Sequence, residues 1–286
     1  MKKAYIWGSG STGNRLFHQI NDKEILGFLD NDKSKWGGVI EGIKILGGID
    51  YIKEIPLDSY DEIIIGTMPG LETVSRSLAK IGIPWEKINT SYLSDSVKAR
   101  ENFLESFARL YNSEYKDDVC VAEGGVYQGD FAKLINKCFP NRKLYLFDTF
   151  EGFAKSDVEM EEVNNNIKFS EFKAGHLSNT DENLVINKMS VKDKVSIVKG
   201  FFPDTLKDFP EQKYIFVNLD FDLYLPTLAG LRYFAPRLVK NGIILIHDYF
   251  NPGYPGVEQA VREFAKETGV RVLPIGDRCS VMIGCW

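Results

Sequence analysis

What most constrains the fold is a rhythm. Short runs rich in β-branched residues alternate with amphipathic helical stretches along the whole 286-residue chain, and the alternation starts over once. Strand runs that are apolar throughout need helices over both faces, so the pattern specifies layered α/β domains with parallel sheets, and the restart specifies two in tandem. The first series predicts strands at 3–7, 25–29, 43–46 and 62–65, with helices at 12–20 and 71–81 and a glycine-rich loop at Trp36-Gly37-Gly38. A connecting helix over 95–111 puts Phe103, Phe107, Leu110 and Tyr111 on one face at helical spacing. The second series predicts strands at 119–122, 144–147, 195–198, 215–219 and 243–246, and helices at 131–137, 227–238 and 256–268. Runs at 271–274 and 280–284 flank Gly276-Asp277 and predict a closing antiparallel hairpin. The expected organisation is a Rossmann-like domain over 1–92, a connecting helix within 93–117 and a second doubly wound domain over 118–286. Within the second domain, the polar segment 153–181 (Asn164-Asn165-Asn166, Ser178-Asn179-Thr180) has weak periodicity, as expected of a cover over a site or of a disordered stretch.

Composition narrows the function classes. A formal charge of −5, with Lys and Arg dispersed, argues against a nucleic-acid binder, which would concentrate cations to neutralise phosphates. No apolar run has membrane-spanning length, and residues 1–7 form a strand leading into a glycine turn rather than a secretory signal, so the expectation is a cytoplasmic protein without a membrane partner. Cys120, Cys138, Cys279 and Cys285 lack close metal-binding spacing and are read as reduced packing residues.

In the first domain, Gly8-Ser9-Gly10-Ser11-Thr12-Gly13 follows a strand and opens a helix, and Asp30 ends the next strand. This is the context of a dinucleotide fingerprint, in which Gly8, Gly10 and Gly13 let the backbone approach a phosphate. A tight turn with close helix–sheet packing explains the same glycines. Gly27-Phe28-Leu29-Asp30-Asn31-Asp32 and Gly42-Ile43-Lys44-Ile45-Leu46-Gly47 resemble the small Rossmann-like domain at the front of bacterial sugar acyltransferases. That resemblance covers about 70 residues and implies a nucleotide-sugar site or a structural module.

The second domain carries more chemistry. Glu123 leads into Gly124-Gly125-Val126-Tyr127-Gln128-Gly129, Asp148 ends the next strand, Asp220 and Asp222 follow the fourth, and His247-Asp248 follow the fifth. Ligands of an open parallel sheet lie outside these carboxyl ends. Acids and a close-approaching glycine turn, without a phosphate-gripping lysine, suit a cationic cofactor bearing a ribose, such as S-adenosylmethionine. Asp148 stands where ribose-binding acids fall in such folds. Tyr127, Phe150, Phe201 and Phe202 either line the cofactor pocket or pack in the core. His176 sits in the presumed cover, and Thr227 is read as a helix cap.

The motifs Val121-Ala122-Glu123-Gly124-Gly125-Val126-Tyr127-Gln128-Gly129, Leu146-Phe147-Asp148-Thr149-Phe150-Glu151-Gly152-Phe153, Lys199-Gly200-Phe201-Phe202-Pro203-Asp204-Thr205-Leu206, Leu219-Asp220-Phe221-Asp222-Leu223-Tyr224 and His247-Asp248-Tyr249 resemble, in order and spacing, those of the macrocin O-methyltransferase family. The resemblance implies a class I methyltransferase fold over 118–286 and S-adenosylmethionine as cofactor. It implies a homo-oligomer and a small or carrier-linked saccharide as substrate, in polysaccharide or natural-product synthesis. Cofactor-binding residues would be Glu123, Gly124, Gly125, Val126, Tyr127, Gly129, Asp148, Thr149, Phe150, Gly200, Phe201 and Phe202. Asp220 corresponds to a metal-linked general base, and Asp220 with Asp248 are the expected ligands of a divalent cation, magnesium by the hardness of the oxygens. The family has an Asp-Asp pair where this chain has His247-Asp248, which makes His247 a third ligand or a proton-handling group and brings softer metals into consideration. Asp222 is expected to point away from Asp220's side and to bond nearby backbone. A nucleotide-sugar-binding or scaffolding protein with a degenerate methyltransferase domain is the competing reading.

Overall fold

The computed structural model describes residues 1–68, 70–115, 118–164 and 173–285. The chain divides into two compact units, Met1–Val97 with Asn251–Gly253, and Lys98–Phe250 with Tyr254–Trp286.

The first unit holds β1 (Lys2–Trp7), α1 (Ser11–Gln19), β2 (Lys23–Leu29), β3 (Val39–Ile40), β4 (Ile43–Gly47), α2 (Ile49–Lys53), β5 (Glu62–Ile65), α3 (Leu71–Lys80) and β6 (Ile88–Asn89). Its sheet runs β3-β4-β2-β1-β5-β6 and is parallel apart from the two-residue β3. The period of two along β1 makes both faces apolar. Ala4 and Ile6 pack with Leu16, Phe28 and Ile64, and Tyr5 and Trp7 with Leu29, Ile63, Ile65 and Leu78.

The division between the units falls inside α4 (Ser91–Tyr111). Its inward stripe in the second unit is Leu104, Phe107 and Ala108, whereas Leu110 is exposed. Counting only large residues put Leu110 on the wrong side, because Ala108 occupies the i+4 position from Leu104.

The second unit continues with β7 (Cys120–Gly124), α5 (Asp130–Cys138), β8 (Leu144–Asp148), α6 (Lys155–Val163), α7 (Glu182–Lys188), β9 (Val195–Lys199), β10 (Tyr214–Leu219), α8 (Tyr224–Phe234), β11 (Leu238–Ile246), α9 (Pro255–Thr268), β12 (Leu273–Pro274) and β13 (Val281–Gly284). Strand order is β12-β13-β11-β10-β7-β8-β9, with β12 and β13 antiparallel and the rest parallel, so the expected hairpin closes the sheet. The winding direction reverses between β7 and β10, which opens a crevice at their carboxyl ends.

Two helix boundaries differ from expectation. α8 begins at Tyr224, so Thr227 is buried inside it rather than capping it, and α8 stops at Phe234 because Pro236 cannot continue the backbone ladder. Within 153–181 the chain forms α6, which faces the interior with Asp157, Val158 and Glu161. Two acids at the inward positions erase the apolar period that would have announced a helix. Residues 165–172, including Asn165 and Asn166 of the polar run, lie outside the described residues. Among the described residues no helix is long and apolar enough to cross a membrane, and all four cysteines are unpaired with one another.

Candidate active site

Backbone bonds carry the second sheet past the ends of its strands. Gly125 donates to the Phe147 carbonyl (2.9 Å), Asp220 to Gly124 (2.8 Å), His247 to Leu219 (3.0 Å) and Gly200 to Asp148 (2.9 Å), fixing the motif residues side by side. The glycine turn lies flush against the end of β10. A Cβ on Gly125, whose φ is +78°, would stand 2.0 Å from the Asp220 carbonyl oxygen, and one on Gly124 would meet the Phe221 ring at 2.3 Å. These two glycines are therefore required by contact with 220–221, before any ligand is considered.

Asp148 organises the turn. One carboxylate oxygen accepts from the amides of Val126 (2.6 Å) and Tyr127 (2.9 Å), and the other from Phe150 (2.7 Å). Tyr127 and Phe150 sit at φ +48° and +56°, a region that costs a bulky residue energy and is held here by those bonds.

A continuous polar network then crosses the strand ends. Asn218 donates to Glu123 (2.8 Å) and accepts from Arg100 (2.9 Å), and Arg100 also donates to Asp220 (3.0 Å). His247 Nδ1 lies 3.0 Å from Asp220 and 2.7 Å from Asp248, and the Cys279 thiol donates to Asp248 at 3.3 Å. The Arg100 guanidinium stacks over Phe131, 4.0 Å from the ring centroid. Asp220, Asp222 and Asp248 bring one oxygen each within 4.8 Å of one another. The expectation that Asp222 points away from Asp220 is corrected: residues two apart share a face even in a strand, and past the end of β10 at Leu219 the backbone at Asp222, with φ +64°, carries its carboxyl to Asp248 and Asp220.

The electrostatics follow from this crowding. Burial, and then the charges of Asp220 and Asp148, hold the Glu123 carboxyl well above the usual carboxylate range, against the opposing charge of Arg100. Burial also opposes ionisation of Asp220, yet the charges of His247 and Arg100 outweigh it and hold that carboxyl low. Asp222 is pushed well above its ordinary value by burial and by Asp248 and Asp220. For His247, burial and Arg100 disfavour the imidazolium, but Asp220 and Asp248 prevail and raise it well above the ordinary histidine value.

Other expected residues lie elsewhere. Phe201 lines a cleft of about 330 Å³ with Thr149, Phe153, Lys155, Lys199 and Gly200, at the ends of β8 and β9. Phe202 does not stack on a ligand pocket; its ring is core, packed against Phe147, Phe221 and Phe234. Phe150 is likewise corrected to the core, where it joins Val126 and Val185. Tyr127 donates from its hydroxyl to Asn179 (2.9 Å), and Gly129 takes φ +78° under Val185. The His176 ring packs edge-on against Phe153. In the first unit, a Cβ on Gly13 would strike the Gly8 carbonyl at 1.9 Å, one on Gly8 the Gly66 carbonyl at 2.7 Å, and Gly10 caps α1 without a side-chain bond. Asp30 accepts from the Ser9 amide (3.0 Å), the Ser9 hydroxyl and the Asp32 amide (2.9 Å). Both units thus use the acid ending their second strand to hold the turn after their first.

Arg100, Asn218 and Cys279 were not anticipated from sequence. Arg100 alone left a trace there: it stands four residues before Leu104, a cation on the apolar stripe of α4.

The donor set accommodates both expected groups. Glu123 is 2% exposed and its second oxygen has no partner among the described residues, a buried acceptor beside the glycine turn and suited to a cationic cofactor. Asp220, Asp222 and Asp248 form a carboxylate group suited to a hard divalent cation, with His247 paired to two of them.

Comparisons with known proteins bear on the family and the fold. A family model described as macrocin-O-methyltransferase (TylF) matches residues 101–277, and another, described as C2185-like, N-terminal, matches residues 1–89. The mycinamicin III 3''-O-methyltransferase of Micromonospora griseorubida is 26% identical over 178 residues, 58% of this chain and 69% of that protein. The 8-demethyl-8-(2,3-dimethoxy-alpha-L-rhamnosyl)-tetracenomycin-C 4'-O-methyltransferase of Streptomyces olivaceus is 27% identical over 157 residues, 49% of this chain and 60% of that protein. Matching regions thus span 69% and 60% of the lengths of these two relatives. Among solved structures, the O-methyltransferase NovP superposes with a TM-score of 0.52 at 20% identity, over 65% of this chain and 79% of its own. CalS11, a calicheamicin methyltransferase, gives 0.50 at 18% identity over 74% and 84%. These likenesses show a shared fold.

Proposed function

The chain belongs to the macrocin-O-methyltransferase family and is an S-adenosylmethionine-dependent methyltransferase; from that premise we propose that it methylates a hydroxyl of a carried saccharide. Glycosylated natural products are the acceptor class that the names of the two relatives support; nucleotide-linked sugars are the second class to test, and polysaccharide or natural-product synthesis is the proposed setting. The observation that carries the reading is the unbroken polar network from Glu123 through Asn218, Arg100 and Asp220 to His247 and Asp248, at the winding reversal of the sheet.

S-adenosylmethionine supplies an electrophilic methyl group on a sulfonium cation. The glycine turn and Asp148 shape its bed, Glu123 offers a buried oxygen to the cationic end, and the cleft by Thr149, Phe153 and Phe201 takes the nucleoside. With the cofactor bound, its methyl group would pass from sulfur to the acceptor oxygen, leaving S-adenosylhomocysteine, and Asp220 would take the hydroxyl proton. A carboxylate kept ionised is adequate, because that proton becomes acidic as the oxygen is alkylated. Arg100 and His247 hold the two oxygens of Asp220 in place and stabilise its charge. A divalent cation, if bound, would be held by Asp220, Asp222 and Asp248 and would lower the acceptor hydroxyl's pKa.

The competing nucleotide-sugar-binding reading of the first unit has less support, since Gly8, Gly13 and Asp30 are each engaged by that unit's own backbone. Calorimetry tests the function. Purified protein should bind S-adenosylmethionine, with S-adenosylhomocysteine competing, and should transfer labelled methyl to a nucleotide-linked sugar panel, which Asp220→Asn should abolish. No heat and no competition would overturn the proposal.

A further inference from the structure

One buried carboxylate ties together three segments that each adjoin the site. Glu161, on α6, is fully buried, and its Oε1 accepts from the amide of Tyr224, the first residue of α8. The same carboxylate lies on Gly256, in the first turn of α9: a Cβ there would stand 2.5 Å from both carboxylate oxygens. An acceptor at the start of a helix satisfies amides that have no partner within the helix and meets the positive end of its dipole. Glu161 does so at α8 and presses against the start of α9.

Each element leads back to the site. α8 follows directly from Asp220-Phe221-Asp222, and the stretch before α9 begins at His247-Asp248. α6 begins at Lys155, which with Phe153 and Ala154 walls the 330 Å³ cleft. One turn before Glu161, Asp157 is buried with an oxygen that has no partner among the described residues, and its carboxyl is pushed up to about 7 by burial and by Glu161. An acid this enclosed, with another acid beside it, contributes little stability on its own account.

We propose that Glu161 is a positioning residue for methyl transfer: by joining α6 to the starts of α8 and α9 it sets the cleft wall against the strand-end acids Asp220 and Asp248. The inference rests on the methyltransferase reading of the site. It concerns the relative placement of two parts of the site rather than contact with either reactant, so the turnover number should suffer more than cofactor affinity.

The experiment compares Glu161→Ala, Glu161→Gln and the unaltered full chain in three measurements: calorimetric affinity for S-adenosylhomocysteine, kcat and KM for methyl transfer, and hydrogen exchange of α6. Misplacement on the ångström scale costs up to about 100-fold in rate. The alanine variant should therefore lose about 30-fold in kcat, change cofactor affinity by less than about 3-fold, and exchange faster at 155–163 and at the first turns of α8 and α9. The glutamine variant keeps an oxygen for the Tyr224 amide and should recover at least about 5-fold of the lost rate. An alanine variant with unchanged kcat, or with equal losses in kcat and cofactor affinity, would overturn the proposal. Should the alanine variant fail to fold, glutamine decides: a kcat loss of about 3- to 10-fold with faster α6 exchange supports the proposal, and no change in either defeats it. If the unaltered protein neither binds cofactor nor turns over, the methyltransferase reading has failed, and α6 exchange then decides the tether alone.

Discussion

Arg100→Met is the sharpest test of the polar network, because Met keeps the bulk over Phe131 and removes only the charge and its donors. The arginine side chain is 11% exposed and Asp220 22% exposed, and the two lie 3.0 Å apart. Taking one partner from a buried pair costs about 3–5 kcal/mol, since the other charge is left without compensation. Asp220 retains some solvent and keeps His247 at 3.0 Å, which reduces the expected loss to about 2 kcal/mol. Asn218 loses the donor to its oxygen, adding about 1 kcal/mol. A total of about 3 kcal/mol corresponds to a melting-temperature drop of about 6–12 °C for a unit of this size. Three of the four tryptophans, Trp7, Trp36 and Trp85, lie in the first unit. The loss should therefore be followed by far-UV circular dichroism in urea and by exchange of the β10 amides rather than by fluorescence. In a cycle with Asp220→Asn the two changes should couple by about 1–2 kcal/mol. Stability within about 0.5 kcal/mol of the unaltered chain, the range of an ordinary surface change, or strictly additive effects, would refute the network as drawn.

Further expectations concern the turn and its neighbours. Gly125→Ala combines a left-handed backbone, about 1–2 kcal/mol, with a 2.0 Å clash against the Asp220 carbonyl; urea midpoints should fall, and an unchanged midpoint would show that the turn has slack. Asp148→Asn removes the charge that three amides share, so calorimetry should show S-adenosylmethionine affinity down about 10-fold, one to two kcal/mol by the usual conversion. Asp157 is held protonated by burial up to about pH 7 while the unfolded chain releases that proton near 3.8. Between these values the native state binds more protons, so stability must fall as pH rises from about 4 through 7. Asp157→Asn should flatten that slope in urea midpoints measured from pH 5 to 8, and a slope unchanged by the substitution would discount the burial argument. Asp222→Asn and Asp248→Asn should each weaken magnesium binding measured by calorimetry, and full retention in both would remove the carboxylate cation site.

Much of the site was legible because chemistry was written where the pattern ends. Glu123, Asp148, Asp220 and Asp248 could be assigned to strand ends from the alternation alone, and parallel strands place their carboxyl ends on one edge. The glycines were legible as positions of close approach, although what approaches Gly124 and Gly125 is the chain's own 220–221 segment. α6 was illegible for a definite reason: its inward face carries Asp157 and Glu161, and polar groups buried against helix starts leave no hydrophobic period. Asp222 was misjudged because positions two apart share one face of a strand, and beyond the end of β10 at Leu219 the turn brings its carboxyl to those of Asp220 and Asp248.

Sequence by itself determined the two α/β layers, the order of the chemistry-bearing turns and the family, since periodicity and local motifs are properties of neighbouring residues. Only the tertiary structure decided that Arg100, 120 positions before Asp220, supplies its counter-charge, that Cys279 meets Asp248, and that Phe150 and Phe202 are core. Which charges pair across a sheet edge depends on where distant segments come to lie, and a buried ion pair needs only proximity, so no local pattern records it.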